Sequence, residues 1–241
     1  MKKFYISLFI VAVFSALVFY IGWTQFKVKP GQVGIVISKT DGVDEKPVIN
    51  GQYSWYWQFL LPTNAQLKCF ELKPFNCEKT VNGSLPSGQT YTSMFSGADS
   101  FAYSFTYSIS LNLSPENVIS LYKENKILNQ DDLEKYLSSA ADTLAQLASS
   151  YYLQRLQANP SLVLESVRRE DILRNVKFYE DCPELDLLNF ALKASQVPDF
   201  NLYKKLQGAY LNNQINSYGN SQSLESTESE EQIENLTDEQ M

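Results

Sequence analysis

Histidine is missing from all 241 residues of this chain, which excludes a large group of enzyme and metal sites. Ser-His-Asp and Cys-His nucleophile systems need an imidazole base, and many zinc sites need an imidazole ligand. The sequence also lacks a phosphate-binding loop ending in Gly-Lys-Ser or Gly-Lys-Thr, a nucleophile elbow and a Cys-x-x-Cys pair. We therefore predict no catalytic residue, no metal site, no cofactor and no enzymatic activity.

Positive charge is missing from the C-terminal part of the chain. No Lys or Arg follows Lys205, whereas seven acidic residues lie between Glu225 and Glu239. The formal net charge is −7, and the part before this acidic segment is close to neutral, so it lacks the basic face that nucleic-acid binding requires. The Ser, Gln, Asn and Glu content predicts a disordered acidic tail over residues 214–241.

Cysteine is scarce, with only Cys69, Cys77 and Cys182 present. Outside the cytoplasm, Cys69 and Cys77 can form a disulfide across a short turn, which would leave Cys182 unpaired. The alternative is three buried or unreactive thiols. The sequence leaves both alternatives open.

The most prominent feature of the sequence is one long apolar run near the N-terminus. Residues 4–23 contain no charged side chain, and a helix of that length spans roughly 30 Å, the thickness of the hydrocarbon core of a bilayer. A cleaved signal peptide has a shorter apolar region that ends in small residues. This run ends in bulky side chains up to Trp23, so it predicts an uncleaved transmembrane signal-anchor.

Flanking charge gives the orientation of this anchor. Lys2 and Lys3 favour a short cytoplasmic N-terminus at residues 1–3, although Lys27, Lys29 and Lys39 follow the span. Long domains translocate largely regardless of charge. We therefore predict a single-pass protein of the cell (inner) membrane, with a cytoplasmic N-terminus and an extracytoplasmic main domain.

Alternation and helical periodicity predict an α+β fold, with an antiparallel β-rich part followed by grouped helices. The clearest strand runs from Phe101 to Leu113, where every second residue is apolar or aromatic. Ser114-Pro115 is a good helix start. The predicted strands are residues 31–38, 65–72, 101–113 and 188–194. The predicted helices start at residues 115, 131, 161 and 198, the last one ending near residue 213.

Aromatic residues cluster between Tyr53 and Phe59, where both alternating positions carry large rings. Either both faces of this segment are buried in protein or one lies in the lipid interface, where Trp and Tyr are favoured. We predict membrane contact. The predicted membrane-interface residues are Tyr20, Trp23, Tyr53, Trp55, Tyr56, Trp57 and Phe59.

The helix that starts at Asp131 carries a wide apolar stripe with several alanines, which allow close helix approach. This stripe either covers its own sheet or contacts a second copy. As oligomer contacts we predict Leu133, Tyr136, Leu137, Ala140, Leu144, Leu147 and Tyr151.

The order of these features resembles the SPFH (band 7) superfamily of stomatins, prohibitins, flotillins and the bacterial HflK/HflC pair. That family places an anchor before a Val-x-Pro/Glu-Gly-x-x-Gly-Val-Val strand, and residues 28–36 read Val-Lys-Pro-Gly-Gln-Val-Gly-Ile-Val. Its Tyr-x-Ile-x-Asp-Pro signature is similar to Tyr107-Ser-Ile109 followed by Ser114-Pro115, and Val197-Pro198 precedes a helix as in the family. The resemblance implies an SPFH domain over residues 27–197, then a C-terminal helix over 198–213.

The resemblance also implies a function. Members of the family self-associate laterally and organise or modulate membrane proteins, among them membrane proteases, and they press the first subdomain against the bilayer. The single-span HflC/HflK-like layout matches best. The expected partners are therefore the lipid bilayer, further SPFH chains and a membrane protease. The alternative is a membrane-tethered extracytoplasmic binding module that forms no scaffold.

Overall fold

The computed structural model describes residues 2–24, 27–94, 101–164 and 167–216. Most of the predicted acidic tail, from residue 217 onward, lies outside the described residues. The fold is mixed α+β, as predicted. Its elements are α1 (Lys2–Gly22), β1 (Gln32–Ser38), β2 (Gly42–Val43), β3 (Val48–Ile49), a 3₁₀ helix (Trp57–Leu60), β4 (Ala65–Glu71), β5 (Phe75–Ser84), α2 (Gly88–Met94), β6 (Ala102–Leu113), α3 (Pro115–Lys123), α4 (Gln130–Ala158), α5 (Arg169–Val176), α6 (Phe178–Asp181), β7 (Leu185–Gln196) and α7 (200–216).

Helix α1 is the predicted apolar segment. It is long and apolar enough to cross a membrane, and its large side chains are exposed on all sides, from Phe4 to Ile21. A helix of a soluble protein buries one stripe against the core, whereas α1 has no polar face to turn toward water. Its composition therefore fits a membrane-spanning helix.

The first sheet is antiparallel and is built around β1. Strand β4 pairs with β1 along its whole length, from Gln32 opposite Glu71 to Ser38 opposite Ala65, and β2 and β3 also pair with β1. A small core lies on this sheet, in which Val28, Val36 and Val48 are buried and Tyr56, Phe59 and Leu67 pack against them. These contacts hold the segment after β3 close to the sheet.

The second sheet has the strand order β5-β6-β7. The predicted alternation of β6 is confirmed, because Phe105, Tyr107, Ile109, Leu111 and Leu113 are all buried. The hydroxyl groups of Tyr107 and Ser149 lie 2.9 Å apart, and Ser149 is on α4. The apolar face of α4 therefore meets the buried face of this strand.

Local capping signals account for the start of α3. The hydroxyl of Ser114 accepts a hydrogen bond from the amide of Asn117 at 3.3 Å, and Pro115 takes the first helical position. This satisfies one of the amides that have no partner within the helix. The predicted start is confirmed.

Several elements differ from the prediction. Strands β2, β3 and β5 and helices α2 and α6 were not predicted, and the helix expected from residue 161 begins at Arg169. Strand β7 is longer than predicted, and α7 continues to residue 216. In β5 the half-buried positions include Cys77 and Lys79. Because such residues do not read as apolar, the alternation of β5 is hidden in the sequence.

The chain divides into two compact units. The first comprises Met1–Thr80, Thr106–Tyr151 and Val167–Lys193, and it contains α1 and the whole first sheet. The second comprises Val81–Phe105, Tyr152–Ser166 and Ala194–Met241. In the second unit, the ring of Tyr203 packs against Tyr91 and Phe101, and its hydroxyl donates to the carbonyl of Pro86 at 2.7 Å.

Candidate functional site

The C-terminal end of α1 is joined to residues 54–56 by backbone hydrogen bonds. The amide of Tyr56 donates to the carbonyl of Gly22 at 2.9 Å, and the amide of Thr24 donates to the carbonyl of Ser54 at 3.0 Å. Trp23 and Trp55 form an isolated antiparallel bridge between these segments. The last carbonyls of a helix lack partners within the helix, so the bond from Tyr56 satisfies one of them from outside.

Side chains reinforce this junction. The indole Nε1 of Trp55 donates to the carbonyl of Phe19 at 3.1 Å, one turn before the end of α1. The ring of Phe19 packs edge-on against Trp23 with centroids 5.1 Å apart, and it stacks on Tyr53 at 6.1 Å. We call Phe19, Trp23, Tyr53 and Trp55 the aromatic collar. Each aromatic pair contributes about 0.5–1.5 kcal/mol beyond its burial, so the collar is a substantial contact.

Gly22 makes the close approach of Trp55 possible. A Cβ atom at this position would lie 2.4 Å from Nε1 and 2.5 Å from Cε2 of the Trp55 ring. Real Cβ atoms do not come so near to ring atoms. The indole can reach the carbonyl of Phe19 because residue 22 has no side chain.

The predicted membrane-interface residues differ in exposure, and Trp23 and Trp55 of the collar are half-buried. Tyr53 is 63% exposed and Trp57 is 46% exposed, and Tyr20 on α1 is exposed as well. Tyr56 and Phe59 instead pack against the valine core of the first sheet. Residues 57–60 form a 3₁₀ helix rather than a strand. Neighbouring rings in this segment therefore point to both the core and the surface.

Tyr56 has an environment that favours its neutral form. Burial, together with the charge and hydrogen bond of Asp44, raises the pKa of Tyr56 to about 12. A phenolate next to a carboxylate in a partly dry site is unfavourable. Tyr56 is therefore a half-buried, neutral ring that packs against the valine core of the first sheet.

Positive charge lies next to the collar. The Nζ atom of Lys27 is 4.5 Å from the centroid of the Phe59 ring, a cation–π contact. The side chain of Lys27 is exposed. In the chain, Lys27 lies between the end of α1 and strand β1. A lysine at this place suits the region where a membrane-spanning helix leaves the hydrocarbon.

Four of the seven predicted oligomer contacts on α4 are buried within the chain itself, and the other three are half-buried. Leu133, Leu137, Ala140 and Leu144 are all buried, and Leu147 and Tyr151 are half-buried. The hydroxyl of Tyr136 bonds to Oε2 of Glu184 at 3.3 Å. The apolar stripe therefore covers its own core, the alternative that the sequence had left open.

Comparisons with known proteins add a relative without a described function. No protein-family model matches the chain. The chain is 27% identical over 193 residues to an uncharacterized protein of Treponema pallidum (strain Nichols), and the match covers 78% of this chain. The matched region spans 65% of the length of that relative. The comparison shows that a similar sequence exists in that organism.

The cysteines do not form a disulfide in the structure. Cys69 is exposed and Cys77 and Cys182 are half-buried, and all three are free thiols. Burial raises the pKa of the Cys182 thiol, and the neighbouring charge of Glu184 raises it further. The Cys69–Cys77 pairing is thus not the arrangement in this structure, and the three thiols are not all buried, because Cys69 is exposed.

Sequence reasoning found Trp23, Tyr53, Trp55 and Trp57, but it missed Phe19 and Gly22 as their partners. A single glycine just before Trp23, in a helix end otherwise made of bulky residues, was the available signal. What brings these residues together is a contact across more than thirty residues of chain, and local patterns do not report such contacts.

Proposed function

We propose that the chain is a single-span membrane protein whose N-terminus is cytoplasmic and whose domain lies against the outer surface of the inner membrane. The aromatic collar carries this proposal. It fixes the first sheet to the last turn of α1 through backbone bonds and the bond from Trp55 to Phe19. When α1 spans a bilayer, the exposed rings of Tyr53 and Trp57 lie at headgroup level, where such rings are favoured.

We further propose that the domain is SPFH-like and acts as a non-enzymatic scaffold that organises membrane proteins, a membrane protease among them. The order of elements supports this proposal. An apolar helix precedes an antiparallel sheet centred on residues 32–38, and a long strand leads into Ser114-Pro115 and two helices. A late strand and a helix after Pro198 complete the order. The assignment rests on this order, since no family model matches.

Lateral self-association requires an exposed contact surface, and the buried stripe of α4 does not supply one. Helix α7 carries exposed apolar side chains, with Leu211 52% exposed and Ile215 66% exposed. They are four residues apart and therefore lie on one face of the helix. We assign this face as the contact between copies.

A tethered binding module that forms no scaffold is the second candidate. The burial of the α4 stripe favours it, because the surface first predicted for assembly is occupied. Both candidates share the same anchor and topology. They differ in whether copies of the chain associate.

Membrane topology is tested first. The chain should stay in the membrane fraction after alkaline carbonate extraction, and protease added outside spheroplasts should digest the acidic C-terminal region. Digestion only in inverted vesicles would reverse the proposed topology.

Assembly is tested by cross-linking in native membranes and by oligomer size in mild detergent. The variant with Leu211→Glu and Ile215→Glu should fall to a monomer. The control Val163→Glu, at another exposed apolar position, should keep the oligomer. A monomeric wild-type chain at membrane-like concentration would exclude the scaffold and leave the tethered module.

A further inference from the structure

An open cleft of about 670 Å³ lies beside the aromatic collar. It belongs entirely to the first unit of the chain. Three aromatic rings, two carboxylates and one ammonium group are among its lining. These residues are Tyr53, Trp55, Tyr56, Asp44, Glu116 and Lys46.

The carboxylate of Asp44 is held in a fixed position. Its Oδ1 atom accepts a hydrogen bond from the amide of Lys46 at 2.8 Å, and the ring of Tyr56 lines the same cleft. Asp44 is half-buried, so its charge is less screened than that of a surface residue. An organised carboxylate of this kind can meet a cation at little further cost in side-chain entropy.

The two acids of the cleft have no cationic partner among the described residues. Within the part of the chain that the structure describes, Asp44 and Glu116 form no ion pair, whereas the neighbouring Glu45 pairs with Lys123 at 3.3 Å. Two carboxylates next to three aromatic rings attract an alkylated or primary ammonium group. Lys46 adds a positive charge in the same cleft, and an ammonium group of this kind binds phosphate as a point charge.

The position of the cleft identifies the source of such a ligand. Trp55 bonds to the carbonyl of Phe19 in the last turn of α1, and Tyr53 stacks on the ring of Phe19. The cleft therefore begins where the apolar helix ends. In a bilayer this is the layer of phospholipid headgroups.

We propose that this cleft binds the headgroup of a zwitterionic phospholipid of the bilayer. The ammonium group lies among the rings, Asp44 and Glu116, and the phosphate lies near Lys46. This inference rests on the proposed insertion of α1 into the membrane. The protein would then contact the membrane in two ways, through the spanning helix α1 and through a specific headgroup site.

The test uses the full chain purified in a mild detergent. Phosphatidylcholine, phosphatidylethanolamine and phosphatidylglycerol with the same acyl chains are added separately, and native mass spectrometry measures the lipid-bound fraction. Glu116→Gln is the main variant, and Asp44→Asn is the second. Glu45→Gln is the matched control, because it removes the same charge from an exposed neighbour outside the cleft.

We expect the wild-type chain to retain either zwitterionic lipid more than the anionic one. Glu116→Gln should lower that retention by about fivefold, as for the loss of one exposed ion pair. Glu45→Gln should change nothing, and circular dichroism should show all variants folded. Equal retention of the three lipids by the wild type, or equal losses in Glu116→Gln and Glu45→Gln, would overturn the proposal.

The outcome separates this proposal from the proposed function. A chain that stays in carbonate-washed membranes but shows no lipid preference refutes the headgroup site alone. A chain that leaves the membrane in carbonate but prefers zwitterionic lipid refutes the membrane span alone.

Discussion

Replacing Gly22 by alanine tests how firmly the aromatic collar holds α1 to the first sheet. The new Cβ atom would lie 2.4 Å from Nε1 of Trp55, so the indole has to move. The hydrogen bond from Trp55 Nε1 to the carbonyl of Phe19, 3.1 Å long, is then lost. The perturbation is a single methyl group, and it acts on one contact.

The expected cost follows from the contacts that are lost. The hydrogen bond contributes about 1 kcal/mol, and the disturbed ring packing contributes about 1 kcal/mol more. Alanine offsets part of this free energy because its helix propensity is better than that of glycine. The gain is smaller than the roughly 1 kcal/mol found in a helix interior, because Gly22 is the last residue of α1. The net loss is about 1.4 kcal/mol, a tenfold change in the equilibrium between closed and open collar.

Hydrogen exchange at the amide of Tyr56 measures that equilibrium, because this amide donates to the carbonyl of Gly22. In the full chain in nanodiscs, Gly22→Ala should speed its exchange by about tenfold. The control is Gly208→Ala in α7, where no atom lies within 4 Å of the added methyl group, and it should leave this amide unchanged. Unaltered protection of Tyr56 in Gly22→Ala would refute the packing argument.

Three further substitutions test other parts of the structure. Tyr107→Phe removes the buried bond to the hydroxyl of Ser149 and should lower the free energy of unfolding in urea by about 1 kcal/mol. The raised pKa of Tyr56, about 12 against an ordinary 10.0, means that the folded state holds this proton more tightly. The stability that depends on it is complete below pH 10 and is lost as pH rises toward 12, so Tyr56→Phe should flatten unfolding midpoints measured across that range. Trp57→Phe should reduce the fraction of tryptophan fluorescence that brominated lipids quench, since this exposed ring is proposed to lie at the membrane surface. Undiminished quenching would contradict that proposal.

The elements that the sequence predicted well carry their signal locally. Strand β6 alternates without a break from Phe105 to Leu113, and Ser114-Pro115 marks the start of α3 with a cap that the structure contains. Such patterns depend on residues that are near each other in the chain. They are therefore readable without the fold.

The elements that the sequence missed depend on distant partners. Strand β5 turns Lys79 toward α4, where its Nζ atom reaches Asp142 at 2.8 Å and Ser138 at 2.9 Å. A lysine reads as an outward residue, and only the acid 63 positions later makes the inward arrangement favourable. The same holds for the collar, in which Trp55 bonds to a carbonyl 36 residues earlier.

The exposure of side chains in the structure distinguishes interpretations that the sequence left open. The apolar stripe of α4 and the aromatic run from Tyr53 were both open to two interpretations. In the structure most of the stripe packs on the core, Tyr56 is half-buried against the valine core, and Tyr53 is exposed. Hydrophobicity alone does not distinguish a side chain that covers its own sheet from one that meets lipid or a partner.

The rigid junction at Gly22 has a mechanical consequence for a chain inserted in a bilayer. A span attached by a flexible linker can tilt to match the bilayer thickness without moving its domain. Here the bonds from Tyr56 and Trp55 fix both the angle and the rotation of α1 relative to the first sheet. A change in membrane thickness that tilts the span would therefore rotate the attached sheet by the same angle. The orientation of the sheet relative to the membrane would then depend on bilayer thickness.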